Sequence, residues 1–244
     1  MSVYDKTVQV ARKTMTLFFL IDNSGSMAGS KIGAVNQAIE EVLPEIKAIS
    51  SQNADAEIKI AVMTFSDSVK WITQSPVEAD LFYWNDITAE GVTSFYTACG
   101  ELNKKLSKNE FMQSSSGSYA PAIFLMSDGY PTDEYNSAML DALKQNNWFK
   151  KSIKVALAIG DDVDKNVLAS FTGTSEAVLT AHTPEALMKM IKFVSVTSSQ
   201  IGSKSSGVGS NQIDQISSKQ DDMIMSLQSS AFSASEADED TDQW

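Results

Sequence analysis

Cysteine and histidine are all but missing from this chain, with Cys99 and His182 the single example of each. A lone cysteine excludes a disulfide framework within the chain and fits a reducing compartment. Cys99 falls on a helical pattern, where a buried thiol is the ordinary reading. No Ser-His-Asp or Cys-His arrangement is evident, and His182, just after the last expected strand, reads as a polar cap or surface residue. Positive charge is also scarce, with 19 Lys and Arg against 31 Asp and Glu and a net charge of −12. That balance argues against nucleic acid as a partner, because neutralising phosphates takes clustered cations. It would also be repelled by an anionic membrane surface. Long apolar runs are lacking: Met15 to Ile21 is too short to span a bilayer, and no signal peptide is apparent. The protein is therefore expected to be soluble and cytoplasmic. No Walker-type phosphate loop occurs, since Gly202-Ser203-Lys204-Ser205 has the wrong glycine spacing and no strand before it. What the chain does have is 43% apolar residues over a length of 244, enough for one large domain with an appendage.

The organising stretch is Phe18-Phe19-Leu20-Ile21-Asp22-Asn23-Ser24-Gly25-Ser26-Met27, where an apolar run stops at a carboxylate followed by hydroxyls on alternate positions. The nearly continuous run from Met15 to Ile21 reads as a central parallel strand buried on both faces. Asp22 then sits at the strand's carboxyl end, the edge where open α/β sheets bind ligands. Asp22, Ser24 and Ser26 offer one carboxylate and two neutral oxygens, and Gly25 lets the backbone turn them inward. Hard oxygens of this kind suit Mg²⁺ or Mn²⁺ and not zinc. One loop cannot complete an octahedron, so further oxygens are expected at other strand ends. Thr93, in Glu90-Gly91-Val92-Thr93-Ser94, and Asp128, closing the apolar run Ala122 to Met126, are the two candidates.

With those five residues in view, the sequence resembles the von Willebrand factor A domain family. Its metal-ion-dependent adhesion site is written Asp-x-Ser-x-Ser, then Thr, then Asp, and Asp22, Ser24, Ser26, Thr93 and Asp128 match it in full. The resemblance covers roughly residues 13 to 197. The Gly-x-Thr-Ser form at Gly91 and the Ser-Asp-Gly-x-Pro-Thr-Asp form at Ser127 look most like short bacterial proteins related to the tellurite-resistance group. The resemblance implies a non-enzymatic, metal-dependent protein-binding module in which a partner's Asp or Glu completes the coordination of Mg²⁺ or Mn²⁺. It also makes a cytoplasmic stress-response or signalling adaptor the expected role, with kinase-like or phosphatase-like proteins as candidate partners. The competing reading is a metal-dependent phosphoryl-transfer enzyme or phosphatase using Asp22. Position 24 is a serine where such an enzyme would be expected to place a second carboxylate, which weakens it. A third consideration for Asp22 is a turn aspartate that caps the following helix, the ordinary reading of such a residue in isolation.

Taken in order, residues 1 to 12 form a polar lead-in. Ser30 is expected to cap a helix with Ile32, Val35, Ile39, Val42, Leu43 and Ile46 on its inner face, kinked or broken at Pro44. Ala56 to Phe65 reads as a strand with an antiparallel edge partner at Ser68 to Thr73. The aromatic group Leu81 to Trp84 reads as core packing. Ser94 is expected to cap a helix reaching Leu106. Another helix starts near Pro131 with Met139, Leu140 and Leu143 inward and Asp133 favouring its dipole, although Asp133 near the metal is a second possibility. Ile153 to Ile159 is a buried strand, Asp161 and Asp162 are turn formers, and Val163 to Phe171 is a short helix. Ala177 to Thr180 is the last strand and Pro184 to Val196 the closing helix. This alternation requires an α/β doubly wound, mostly parallel sheet with one antiparallel edge strand and helices on both faces. From Ser198 the chain becomes Ser-rich and acidic, with eight acids against two lysines, half of the net charge of −12. Residues 198–244 are expected to be largely disordered, or weakly helical through Ile213, Ile216, Met223, Ile224 and Leu227 with that helix docking on the domain or on a partner, and dispensable for folding. Their serines are candidate phosphorylation acceptors.

Overall fold

In the computed structural model, β1 (Lys13–Asp22) lies in the middle of a sheet and is buried from Thr14 onward. The structure describes residues 11–160, 163–202 and 212–230, the last of these by backbone alone over 212–218. Beside β1 on one flank runs β2 (Ala56–Phe65), parallel to it, and β2 carries two short antiparallel partners, β3 (Val69–Trp71) and β4 (Val77–Glu78). On the other flank β5 (Ala122–Ser127), β6 (Ile153–Ile159) and β7 (Val178–Ala181) follow in parallel. The order is β3-β2-β1-β5-β6-β7. The chain therefore leaves β1 in one direction and returns on its other side at β5. The crevice between their carboxyl ends is the topological switch point, where opposed loops leave room for a ligand.

The strand pleat sorts the core into two layers. Met15, Leu17, Phe19 and Ile21 face α1 (Ser30–Gln52), α6 (Pro184–Gly202) and α7 (Gln212–Ser229). Phe18 and Leu20 face α2 (Phe95–Lys105), α3 (Ala138–Gln145), α4 (Asn147–Lys151) and α5 (Lys165–Thr172). No helix among the described residues is long and apolar enough to cross a membrane.

Several expectations are corrected. Pro44 does not break α1, which runs unbroken from Ser30 to Gln52; Pro44 and Glu40, four residues before it, are both exposed, so the freed carbonyl can be hydrated. Of the aromatic group, Phe82 is buried, but Leu81 and Tyr83 are 63% and 76% exposed. Met139 is partly exposed and lies over Gly100, while Leu140 and Leu143 are buried as expected. The turn formers Asp161 and Asp162 lie outside the described residues, as do residues 1–10.

At the carboxyl end the described residues take the docked-helix alternative over the solvated tail. Helix α6 continues to Gly202, past the expected boundary at 197, and α7 packs on α6 and β6. Met223 and Leu227, four residues apart on one face, are buried at 0% and 3% exposure. Gln220 closes a two-way bridge to the backbone of Lys154 in β6, accepting from its N–H and donating to its carbonyl. Composition argued for a solvated tail there, but two apolar side chains and a carboxamide in register with a strand suffice to dock this helix. Serines in 203–211 and 231–235 lie outside the described residues.

Candidate metal centre

Three loops meet at the switch point and are tied by backbone hydrogen bonds. The loop after β1 is held to residues 88–91, with Gly25 N–H donating to Gly91 O at 2.9 Å and Glu90 N–H to Asn23 O at 2.8 Å. Asn23 also donates from its side chain to Thr88 O. Gly91 has φ 79, and a Cβ there would lie 2.5 Å from the Asp67 carboxyl, so the position needs glycine twice over. That close approach lets Asp67 accept the Val92 N–H at 2.8 Å and fix the segment carrying Thr93. The third loop, after β5, is stitched to the second: Thr132 N–H and hydroxyl both donate to Thr93 O, and Thr93 N–H donates to the Thr132 hydroxyl.

Within this frame Ser26 Oγ donates to Asp128 Oδ1 at 2.8 Å across a sequence separation of 102 residues. Ser24 Oγ lies 3.1 Å from Ser26 Oγ. A Cβ on Gly129 would stand 3.7 Å from both the Ser26 and Thr93 hydroxyls, so those two oxygens flank one point. Ser24, Ser26, Thr93 and Asp128 line one cleft of about 460 Å³, together with Lys31 and Tyr130. Asp22 is the exception. It is fully buried beneath the cleft, its Oδ1 accepting the Ser24 N–H at 2.9 Å and its Oδ2 the Ser127 hydroxyl at 2.7 Å. Burial pushes the Asp22 carboxyl above the usual carboxylate range, and the nearby Asp128 charge adds to this, while the bonds from Ser127 and Ser24 oppose it.

Charge and donor type can then be compared with what a cation needs. Of the two buried carboxylates only Asp128 is paired with an ammonium, that of Lys31, while Asp22 is held by Ser24 and Ser127. Among the described residues no three His, Cys, Asp or Glu converge anywhere, so the donors here are hydroxyls and two carboxylates. A hard divalent ion fits this set, and a thiolate- or imidazole-seeking ion does not.

Sequence reasoning missed Ser127 and Lys31 and gave Asp133 the wrong helix. Ser127 was legible in the strand register, since Ile21 pairs with Met126 and sets Asp22 next to Ser127. Nothing in the sequence set Lys31 apart from the other lysines, and only the fold brings it to Asp128. Asp133 was expected to serve its own helix, or else to lie near the metal. Its carboxylate accepts the Tyr96 and Thr97 N–H groups and the Thr97 hydroxyl, so it caps α2 from across the cleft. Ser94, the expected cap of α2, makes no side-chain cap bond.

A family model for the von Willebrand factor type A domain matches residues 16–193. The chain belongs to this family. Among solved structures, this von Willebrand factor A chain is similar to a von Willebrand factor type A protein from Catenulispora acidiphila, with TM-score 0.57, 15% identity, and coverage of 77% of this chain and 43% of that one. It is likewise similar to proximal thread matrix protein 1 from the mussel byssus, with TM-score 0.58, 16% identity, and coverage of 77% and 48%. The vWF domain of the type V pili tip protein from Porphyromonas gingivalis gives 0.58 and 13%, covering 82% and 99%. At these identities the likeness shows the fold, and the chain spans less than half the length of the first two. No curated protein matches it.

Proposed function

We propose that this von Willebrand factor A domain is a non-enzymatic module that binds a partner protein through a divalent cation, Mg²⁺ or Mn²⁺. The observation that carries the reading is the Ser26–Asp128 hydrogen bond, which joins the loop after β1 to the loop after β5 at the switch point. Ser24, Ser26, Thr93 and Asp128 would hold the ion from the cleft walls, and Asp22 would hold the Ser24 end of the loop from below. When bound, the ion would supply a positive charge able to accept one more anionic oxygen, such as the Asp or Glu of a partner. Val92 and Tyr130, each 52% exposed, stand on the cleft wall and offer apolar surface beside that acid.

The phosphoryl-transfer reading is disfavoured by Asp22 itself. A nucleophile needs a free oxygen facing substrate, whereas both Asp22 oxygens are engaged by Ser24 and Ser127 and the residue has no exposure. For the setting we propose a cytoplasmic stress-response or signalling adaptor of the tellurite-resistance type, with a kinase-like or phosphatase-like partner. The Ser-Asp-Gly-x-Pro-Thr-Asp run at 127–133 supports it. The pilus and byssus relatives are too distant in sequence to carry their setting over.

The test is a thermal melt with and without Mg²⁺ or Mn²⁺. Metal is expected to raise the melting temperature of the wild type and to leave Asp22→Ala and Thr93→Ala unmoved. Equal wild-type melts in metal and in chelator would reject the site. A pull-down whose captured protein is released by chelator tests the partner, and Asp22-dependent hydrolysis of a phosphate ester would revive the enzyme reading.

A further inference from the structure

Lys31 is the second residue of α1, and its Nζ lies 2.5 Å from Asp128 Oδ2. Ser26 occupies the other oxygen of the same carboxylate. The two partners differ in freedom: the Asp128 side chain is 1% exposed, whereas that of Lys31 is 22% exposed and lines the cleft wall. Asp128 is thus fixed by its surroundings, and the ammonium reaches it from outside on a flexible four-carbon stem. A divalent ion held by Asp128 seeks the same oxygen and the same charge. Like charges at such a separation repel strongly where water is partly excluded.

Resting on the metal reading, we propose that Lys31 is a resident competitor for the cation, setting how tightly the site binds metal by holding Asp128 Oδ2. Metal entry then requires the ammonium to swing off that oxygen. The stem can do this at little cost because it leaves toward the open cleft. The swing leaves a second positive charge on the wall, beside the place where an acidic partner would arrive. Lys31 therefore opposes metal and, once displaced, reinforces the anion preference that the metal creates.

Calorimetric titration of the full chain with Mn²⁺ alone tests this, using wild type, Lys31→Met and Lys31→Arg. The methionine variant keeps the stem's bulk and removes the charge, so it is expected to bind Mn²⁺ tighter by up to about fivefold, the factor that one partly exposed ion pair corresponds to. The arginine variant keeps the charge and is expected not to gain affinity. The wild-type deficit should shrink as salt rises, because screening weakens the competing pair. A methionine variant that folds only with Mn²⁺ present would also support the proposal. Methionine and wild type binding Mn²⁺ equally, or methionine binding more weakly, would overturn it while leaving the metal site intact. Absence of binding in both would overturn it together with the metal reading.

Discussion

Single residues here do work at a distance from where their type suggests. Arg12 is the one arginine of the chain, and its guanidinium donates to Ser50 O and Asn53 O, closing the carboxyl end of α1. Lys154 is the clearest titrating case. Its Nζ is buried against Phe149 O and Ser152 O, and burial lowers its pKa from 10.5 to about 8. Between those two values the unfolded chain binds more protons than the folded one, so stability should rise with pH across that window. Urea titrations at several pH values measure it, and Lys154→Met should flatten the rise. Gly91→Ala is a second residue-scale test. Its Cβ would meet the Asp67 carboxyl at a positive φ, so a loss of about 1–3 kcal/mol in denaturant unfolding is expected. The Thr93 segment should loosen with it, seen as weaker Mn²⁺ binding.

At the scale of elements, much of the fold was written in local pattern. The buried runs that became β1, β5 and β6 announced themselves because a strand covered on both faces needs no polar position. The site loops were readable for the same reason: Asp22 and Asp128 each end such a run. Capping was less readable, since the rule looks for a cap next to the helix and α2 takes its cap from Asp133 instead. Removing that carboxylate with Asp133→Ala should cost about 1–2 kcal/mol, measured by thermal unfolding, with Ser94→Ala nearly silent. The docked helix was legible only as an alternative, because Ser- and Gly-rich composition around it outweighed two buried side chains spaced by four. Leu227→Ala should cost about 2–4 kcal/mol as a core truncation. A chain ending after Gly202 is expected to lose more than that, by uncovering the surface that Met223, Leu227 and Gln220 occupy; an unchanged melting temperature would show α7 to be ornamental.

Across the whole molecule, the cleft and α7 occupy opposite ends of the strands. The site loops follow the carboxyl ends of β1 and β5, and α7 meets β6 at Lys154, the second residue of that strand. Binding at one end should therefore be measurable as global stability without touching the other. Mn²⁺ at a hundredfold excess over its dissociation constant should add about 2.7 kcal/mol, which corresponds to a rise of roughly 5–11 °C in melting temperature for a domain of this size. The same increment is expected in Gln220→Ala, which perturbs only the far end.

The sheet itself has one more consequence. Its central strands, β1 and β2, are ten residues long, while β3, β4 and β7 at its sides have three, two and four. Margins this brief expose few open peptide groups for a neighbouring molecule to zip onto. Concentrated solutions should accordingly resist fibril growth, and a thioflavin assay on the intact chain would register any failure of that protection.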